Sequence, residues 1–310
     1  MKILIIGLGS IALKHIEALR ILNPESLLFA LRSNKNNATE NNEIINLYLF
    51  DEVKNIDFDF AIISNPTIKH KETIESLIPL RIPLFIEKPV HSSLEIATTL
   101  PTIEENNILT YVGCNLRFLD SLKFIKEYLN ENPHKKINEV NVYCGSYLPN
   151  WRPDKDFRVI YSANAEQGGG VHLDLIHELD YIYWFFGMPK KIRRYFTSKS
   201  SLNISAIDYA NYLFDYEGFC VNIILNYYRN DAKRTLELVF EDETWNADLL
   251  QNTIKSNNMI IFTSEQRMKD TYVSQMKYFL NILKNKEKSF NTLKDGYKVL
   301  TMCLGNDTER

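Results

Sequence analysis

The sequence predicts an α/β protein in two parts: an N-terminal parallel sheet, then a C-terminal α/β domain built on an open, mostly antiparallel sheet. Three observations carry this. Short apolar runs at Lys2 to Ile6, Leu27 to Leu31, Asp59 to Ser64, Leu84 to Glu87 and Leu109 to Gly113 alternate with helical segments, as parallel strands covered on both faces require. From Glu139 onward strands follow one another with turn signals such as Glu217-Gly218 between them, the pattern of antiparallel pairing. A length of 310 residues exceeds one ordinary domain and allows each part its own core.

The first strand runs directly into Gly7-Leu8-Gly9-Ser10-Ile11-Ala12, a glycine turn opening a helix. This is the G-x-G-x-x-A fingerprint of a Rossmann dinucleotide site. Gly7 makes the turn, Gly9 admits the pyrophosphate, Ala12 permits close helix packing, and the helix N-terminus at Ser10 and Ile11 faces the phosphates. The second strand ends in Arg32-Ser33, where an NAD site usually offers a carboxylate to the ribose. Those residues suit a 2′-phosphate, which favours NADP over NAD; the alternative for Arg32 is a solvated strand end. Asn34 to Asn42 reads as a polar surface loop. Helices are expected at Lys69 to Ile78 and Leu94 to Asn106. Ser64-Asn65-Pro66 and Glu87-Lys88-Pro89 fall just past strand carboxyl ends, where ligands sit in such sheets. The boundary is placed near Cys114-Asn115-Leu116-Arg117-Phe118, giving a dinucleotide-binding domain over 1–119 and a second domain over 120–310.

The second part begins with a helix at Ser121 to Asn130 and a strand at Glu139 to Gly145. A loop follows that carries Trp151, Arg158 and Tyr161, either interior or interface residues, or contacts for sugar hydroxyls and attached phosphates. Gly168 to Gly187 is the chemically densest stretch. After three glycines, one helix is expected, with Asp174, His177, Glu178 and Tyr181 on one face and Leu175, Leu179, Ile182 and Phe186 on the other. The polar face either meets water or offers an imidazole and carboxylates to a ligand. Strands are then expected at Ile192 to Thr197, Tyr209 to Tyr216, Phe219 to Tyr228, Arg234 to Phe240 and Met259 to Thr263, and helices at Tyr272 to Asn285 and Leu293 to Cys303. His172 and Asp180 read as structural, His91 and His134 as exposed.

The net charge of −3 and pI near 6.1 argue against a nucleic-acid surface and for small-molecule partners. The four cysteines, Cys114, Cys144, Cys220 and Cys303, form no C-x-x-C pair and read as buried free thiols in a reducing compartment, without a zinc site or disulfides. No metal site is expected. Gly7 and Gly9 interrupt the apolar start, against a secretory signal, and no apolar run is long enough to span a bilayer, so a soluble cytoplasmic protein is expected.

Taken in order, these motifs resemble the Gfo/Idh/MocA oxidoreductase family, which includes glucose–fructose oxidoreductase and inositol dehydrogenase. They are Gly7 to Ala12 with His15, Asn65-Pro66 with His70, Glu87-Lys88-Pro89, Asn115 with Arg117, Gly168-Gly169-Gly170, and His177 with Asp180 ahead of Trp184 and Gly187. The resemblance implies a Rossmann domain, a second domain that binds the substrate and whose open sheet serves oligomerisation through homodimer or homotetramer contacts, and hydride transfer between NAD or NADP and a sugar-like alcohol. It places Lys88 and His177 at the reacting carbon, Asn65, Pro66, His70, Glu87, Lys88 and Asn115 at the cofactor, and Arg117 at the substrate. One departure exists: many members space the acid and the histidine as D-x-x-x-H, whereas Asp174-Leu175-Ile176-His177 is one residue shorter, which bears on the role of Asp174 more than on that of His177.

The chemistry can be argued from the residues alone. Oxidising a secondary alcohol sends a hydride to the nicotinamide while a base takes the hydroxyl proton, and the developing alkoxide needs a nearby donor or cation. His177 can accept the proton while the Lys88 ammonium holds the oxygen, or Lys88 is itself the formal base, and Asp174 orients His177 or binds a neighbouring hydroxyl. The expected substrate is a sugar or sugar derivative, among them nucleotide and amino sugars of surface-glycan synthesis. The alternatives are a glycosidase that oxidises its sugar transiently with a retained NAD, and a non-catalytic regulator sensing dinucleotide or sugar.

Overall fold

The computed structural model describes residues 1–33 and 44–307. The Asn-rich segment Asn34 to Asn42 lies outside the described residues. Two compact units emerge from the contacts: Met1–Asn115 with Lys269–Leu300, and Leu116–Met268 with Thr301–Arg310. The first unit is therefore discontinuous in sequence, whereas the sequence reading draws a single line after residue 119.

In the first unit six parallel strands lie in the order β3-β2-β1-β4-β5-β6. They are β1 (Lys2–Ile6), β2 (Leu27–Leu31), β3 (Ile44–Leu47), β4 (Phe60–Ile63), β5 (Leu84–Glu87) and β6 (Thr110–Gly113). Ile3, Leu4 and Ile5, Phe60 to Ile63, and Leu84 to Ile86 are fully buried, which is why these runs are continuously apolar instead of alternating. Helices α1 (Ser10–Leu22), α2 (Phe50–Lys54), α3 (His70–Leu77) and α4 (Leu100–Glu105) connect them. Helix α1 buries Ala12, His15, Ile16 and Leu19, one stripe at helical spacing. The later helix α8 (Asp270–Asn285) belongs to the same unit, where Phe279 meets the rings of Phe60, Phe85 and Tyr111 at 5.1, 5.3 and 5.8 Å between centroids.

The second unit holds helix α5 (Asp120–Glu131) and an eight-stranded sheet in the order β14-β13-β12-β11-β7-β10-β9-β8. Its strands are β7 (Ile137–Tyr147), β8 (Lys191–Thr197), β9 (Tyr209–Asp215), β10 (Cys220–Asn226), β11 (Tyr228–Phe240), β12 (Thr244–Asp248), β13 (Thr253–Ser256) and β14 (Met259–Thr263). Only the β7/β10 pair is parallel; the other neighbours are antiparallel. Along β10, Val221, Ile223 and Leu225 are fully buried while Asn222 and Ile224 are half-buried, so one face is covered and the other open. Strands β12 and β13 escape the sequence reading because Thr-Trp-Asn-Ala-Asp and Thr-Ile-Lys-Ser carry too few apolar residues to show an alternation. The last helix is α9 (Leu293–Leu304).

Two expectations are corrected here. Cys220 is exposed, at the start of β10, whereas Cys114, Cys144 and Cys303 are buried; all four are free. His91 is buried, because its Nδ1 is engaged by the Ser93 backbone N–H at 3.0 Å. No helix among the described residues is long and apolar enough to cross a membrane.

Candidate active site

The first unit presents its motifs along one edge. The sheet is parallel and the order β2-β1-β4-β5-β6 is continuous, so Arg32, Gly7, Asn65, Lys88 and Asn115 follow the carboxyl ends of five successive strands. Gly7 has φ +88°, and a Cβ there would lie 2.4 Å from the Asn65 Cα; only glycine fits. The Ser64 hydroxyl ties the same turn by donating to the Gly7 carbonyl at 2.8 Å. Gly9 is different: a Cβ there would meet nothing within 4 Å. The open space lies at the N-cap of α1, which has no side-chain cap and no acidic residue in its first turn, the donor set an anionic pyrophosphate requires. Ala12 is fully buried, Ser10 is exposed and Ile11 half-buried.

Around this turn Asn65 donates through Nδ2 to Thr73 Oγ1 at 2.8 Å, and its carbonyl meets His70 Nε2 at 3.0 Å. Burial holds the His70 pKa below its ordinary value. The Asn115 amide donates to Thr271 Oγ1 at 2.7 Å, tying the end of β6 to α8. Arg32 is half-buried and Ser33 exposed at the end of β2. Lys88 is half-buried beside the buried Glu87 and ahead of Pro89. Among the described residues no group of three or more His, Cys, Asp or Glu is placed to hold a metal.

In the second unit the glycine run behaves as expected, with Gly168 at φ +79° and Gly170 at φ +140°. The helix after it does not. It is broken into α6 (Val171–Asp174) and α7 (His177–Phe186), with Leu175 at φ −99°, ψ 31°. Asp174 therefore closes one segment and His177 opens the next, and the single shared face expected from spacing is lost. The amphipathic reading of α7 is also overturned: Leu179 and Ile182 are fully buried on one side, but so are Glu178 and Tyr181 on the other. The two buried carboxylates of α7 are each paired. Glu178 accepts from Arg234 Nε at 2.7 Å, and Asp180 takes a bidentate pair from Arg117, Nε at 2.9 Å and Nη2 at 2.7 Å, with both side chains 2% exposed. Arg117, expected at the substrate, is thus engaged by Asp180 and lies 5.8 Å from the Trp184 ring.

The side chains that do gather are Asp174, Tyr161, Tyr227 and Trp151. Asp174 Oδ1 accepts from the Tyr161 hydroxyl at 2.6 Å and Oδ2 from the Tyr227 hydroxyl at 2.5 Å. Both phenol pKa values are pushed up, by burial first and the Asp174 charge second, so both rings stay protonated donors. Trp151 stands edge-on to Tyr227 at 5.3 Å and donates its indole N–H to Ser146. Arg158 stacks instead over Phe157 at 4.4 Å and faces Asp156. His177 is 8% exposed at the start of α7. His172 is buried and its carbonyl accepts from the Cys303 thiol, a structural position. Tyr227 is absent from the sequence-derived site, yet a signal existed: it continues the buried alternation Val221, Ile223, Leu225 by one more step.

Comparison with known proteins bears on both units. The family described as "Oxidoreductase family, NAD-binding Rossmann fold" matches residues 1–113, and the family described as "GFO/IDH/MocA C-terminal domain" matches residues 125–245. Glucose-6-phosphate 3-dehydrogenase of Bacillus subtilis is 27% identical over 60% of this chain, and the match spans about half of that relative's length, 53%. Myo-inositol 2-dehydrogenase of Thermotoga maritima is 22% identical over 97% of this chain and 94% of its own length. Among solved structures, scyllo-inositol dehydrogenase from Lactobacillus casei, with NAD(H) and scyllo-inositol bound, superposes with a TM-score of 0.79 at 21% identity over 98% of this chain and 95% of its own.

Proposed function

The chain belongs to the Gfo/Idh/MocA oxidoreductase family, and from that premise we propose that it is an NAD(P)-dependent dehydrogenase or reductase acting on a hydroxyl-bearing carbon of a sugar or polyol derivative. The observation that carries this reading is the row at the carboxyl edge of the first sheet: the Gly7 turn, the open space at Gly9 ahead of an uncapped helix, and Lys88 beyond β5. The backbone N–H groups at the start of α1 hold the pyrophosphate, and Arg32 with Ser33 favours a 2′-phosphate. When bound, the nicotinamide supplies the hydride acceptor or donor. Lys88 hydrogen-bonds the substrate oxygen and holds its developing charge, and His177 exchanges the hydroxyl proton. Asp174 binds a neighbouring hydroxyl, held in place by the Tyr161 and Tyr227 hydroxyls that donate to its two oxygens. Trp151 offers an apolar ring to the carbon face of a sugar.

The second unit is the substrate-binding domain in this reading, and the open face of its sheet is the contact for a homodimer or homotetramer in the cytoplasm. Nucleotide and amino sugars head the substrate panel. The test is turnover of that panel followed at the reduced-nicotinamide absorbance. Lys88→Ala and His177→Ala each lower kcat by roughly 10²–10⁴-fold, as positioned acid–base groups do. Cofactor binding survives in the His177 variant, and the double variant loses less than the product of the single losses. Net reduced cofactor separates this activity from transient-oxidation glycoside cleavage. Near-normal turnover in both single variants would sink the mechanism and leave a sensing role.

A further inference from the structure

We infer that His15 and Glu87 form a positioning pair that locks the Lys88 peptide to the cofactor-binding helix. The inference rests on the reading of Lys88 as the group at the reacting oxygen. Glu87 is the last residue of β5, and its carboxylate is used at both oxygens: Oε1 meets His15 Nε2 at 2.5 Å, and Oε2 accepts from the Lys88 backbone N–H at 3.2 Å. His15 is fully buried on α1, with its ring edge-on to Phe85 at 4.7 Å and to Tyr272 at 6.0 Å, so it has one orientation available. Donation through Nε2–H leaves Nδ1 as an acceptor without a partner among the described residues, a cheaper vacancy than a lost donor.

Room for the carboxylate is made on the neighbouring strand. Gly113 is the register partner of Glu87, and a Cβ there would press to 3.0 Å from Oε1 and 2.9 Å from Phe85 Cε1. Holding α1 on the sheet does not require this arrangement; an apolar pair of the same volume would pack the helix at least as well. What the pair adds is direction. A helix whose first turn faces the cofactor is joined, through two hydrogen bonds on one carboxylate, to the peptide from which the Lys88 side chain departs.

The test uses the full chain with His15→Phe, which keeps ring and volume but removes the donor, and His15→Gln, which restores a donor. Turnover, cofactor affinity by fluorescence titration and hydrogen exchange of the Lys88 amide are measured in each. The expected result for His15→Phe is a fall in kcat of roughly tenfold or more, about one charge-assisted hydrogen bond. Cofactor Kd should change less than about threefold and the Lys88 amide should exchange faster, because rigidity in the supporting groups is what is lost. His15→Gln should recover most of both effects. If His15→Phe does not fold, Gly113→Ala crowds the same oxygen and is read out in the same way. Unchanged kcat and unchanged Lys88 exchange in a folded variant would overturn the inference. If Lys88→Ala itself leaves turnover intact, the assignment of Lys88 fails, and the exchange measurement still decides whether the pair fixes that peptide.

Discussion

Replacing Asp180 by Asn tests whether Arg117 is a structural clamp or a substrate contact. The native pair is bidentate, at 2.9 and 2.7 Å, and both side chains are 2% exposed, so neither charge is compensated by water. Asp180→Asn leaves this buried guanidinium facing a neutral amide in place of the carboxylate. Lys126 worsens its position, since the pKa of that amine is already lowered by burial and then by Arg117 itself. Breaking a buried pair by removing one partner costs about 3–5 kcal/mol. Against a usual domain stability of about 5–15 kcal/mol, this is roughly a fifth or more of the whole. All three tryptophans, Trp151, Trp184 and Trp245, lie in the second unit, so urea unfolding followed by tryptophan fluorescence reports that unit alone. The double variant Arg117→Met, Asp180→Leu should lose far less than Asp180→Asn, because it removes both charges together. A loss below about 1 kcal/mol in Asp180→Asn, or a raised substrate KM with unchanged stability in Arg117→Lys, would refute the clamp and return Arg117 to the substrate.

Gly9→Val should fold, because its Cβ enters open space, yet lose dinucleotide affinity, whereas Gly7→Ala should lose stability as well, since its Cβ would meet Asn65 at 2.4 Å; thermal melts with and without cofactor distinguish the two. Arg32→Ala should weaken NADP more than NAD in parallel titrations, and equal weakening would show that Arg32 does not read a 2′-phosphate. Burial pushes the His172 pKa down to about 4, only partly offset by Asp174. Above the ordinary value near 6.5 both states are neutral; as pH falls through that value the unfolded chain takes a proton that the folded chain refuses until about pH 4. Stability should therefore drop across that window, by roughly 3 kcal/mol at most, and urea midpoints at pH 7 and pH 5 should converge in His172→Gln.

The parts of this protein that were legible in sequence are those whose reasons are local. A five-residue apolar run followed by Gly7 and Gly9 specifies a strand buried on both faces and a turn that only glycine can make, and both are found where the residues put them. The break between α6 and α7 was not legible, because Leu175 and Ile176 carry no helix-breaking signal and tertiary packing decides their backbone. The face of α7 misled for a related reason: Glu178 looks available to a ligand only while its counter-charge, 56 residues away at Arg234, is unseen, whereas Asp180 reads as structural and is paired with Arg117, 63 residues away. His91 repeats the lesson at shorter range, where Ser93 turns an exposed-looking imidazole inward. A buried polar group must be paired, so a site prediction from sequence tends to collect structural ion pairs together with true ligand contacts. Geometry separates them by what each polar group faces. Arg117 faces a carboxylate, whereas the N-terminus of α1 faces open space at Gly9, and the Asp180→Asn and Arg117→Lys variants decide whether Arg117 serves the fold or the substrate.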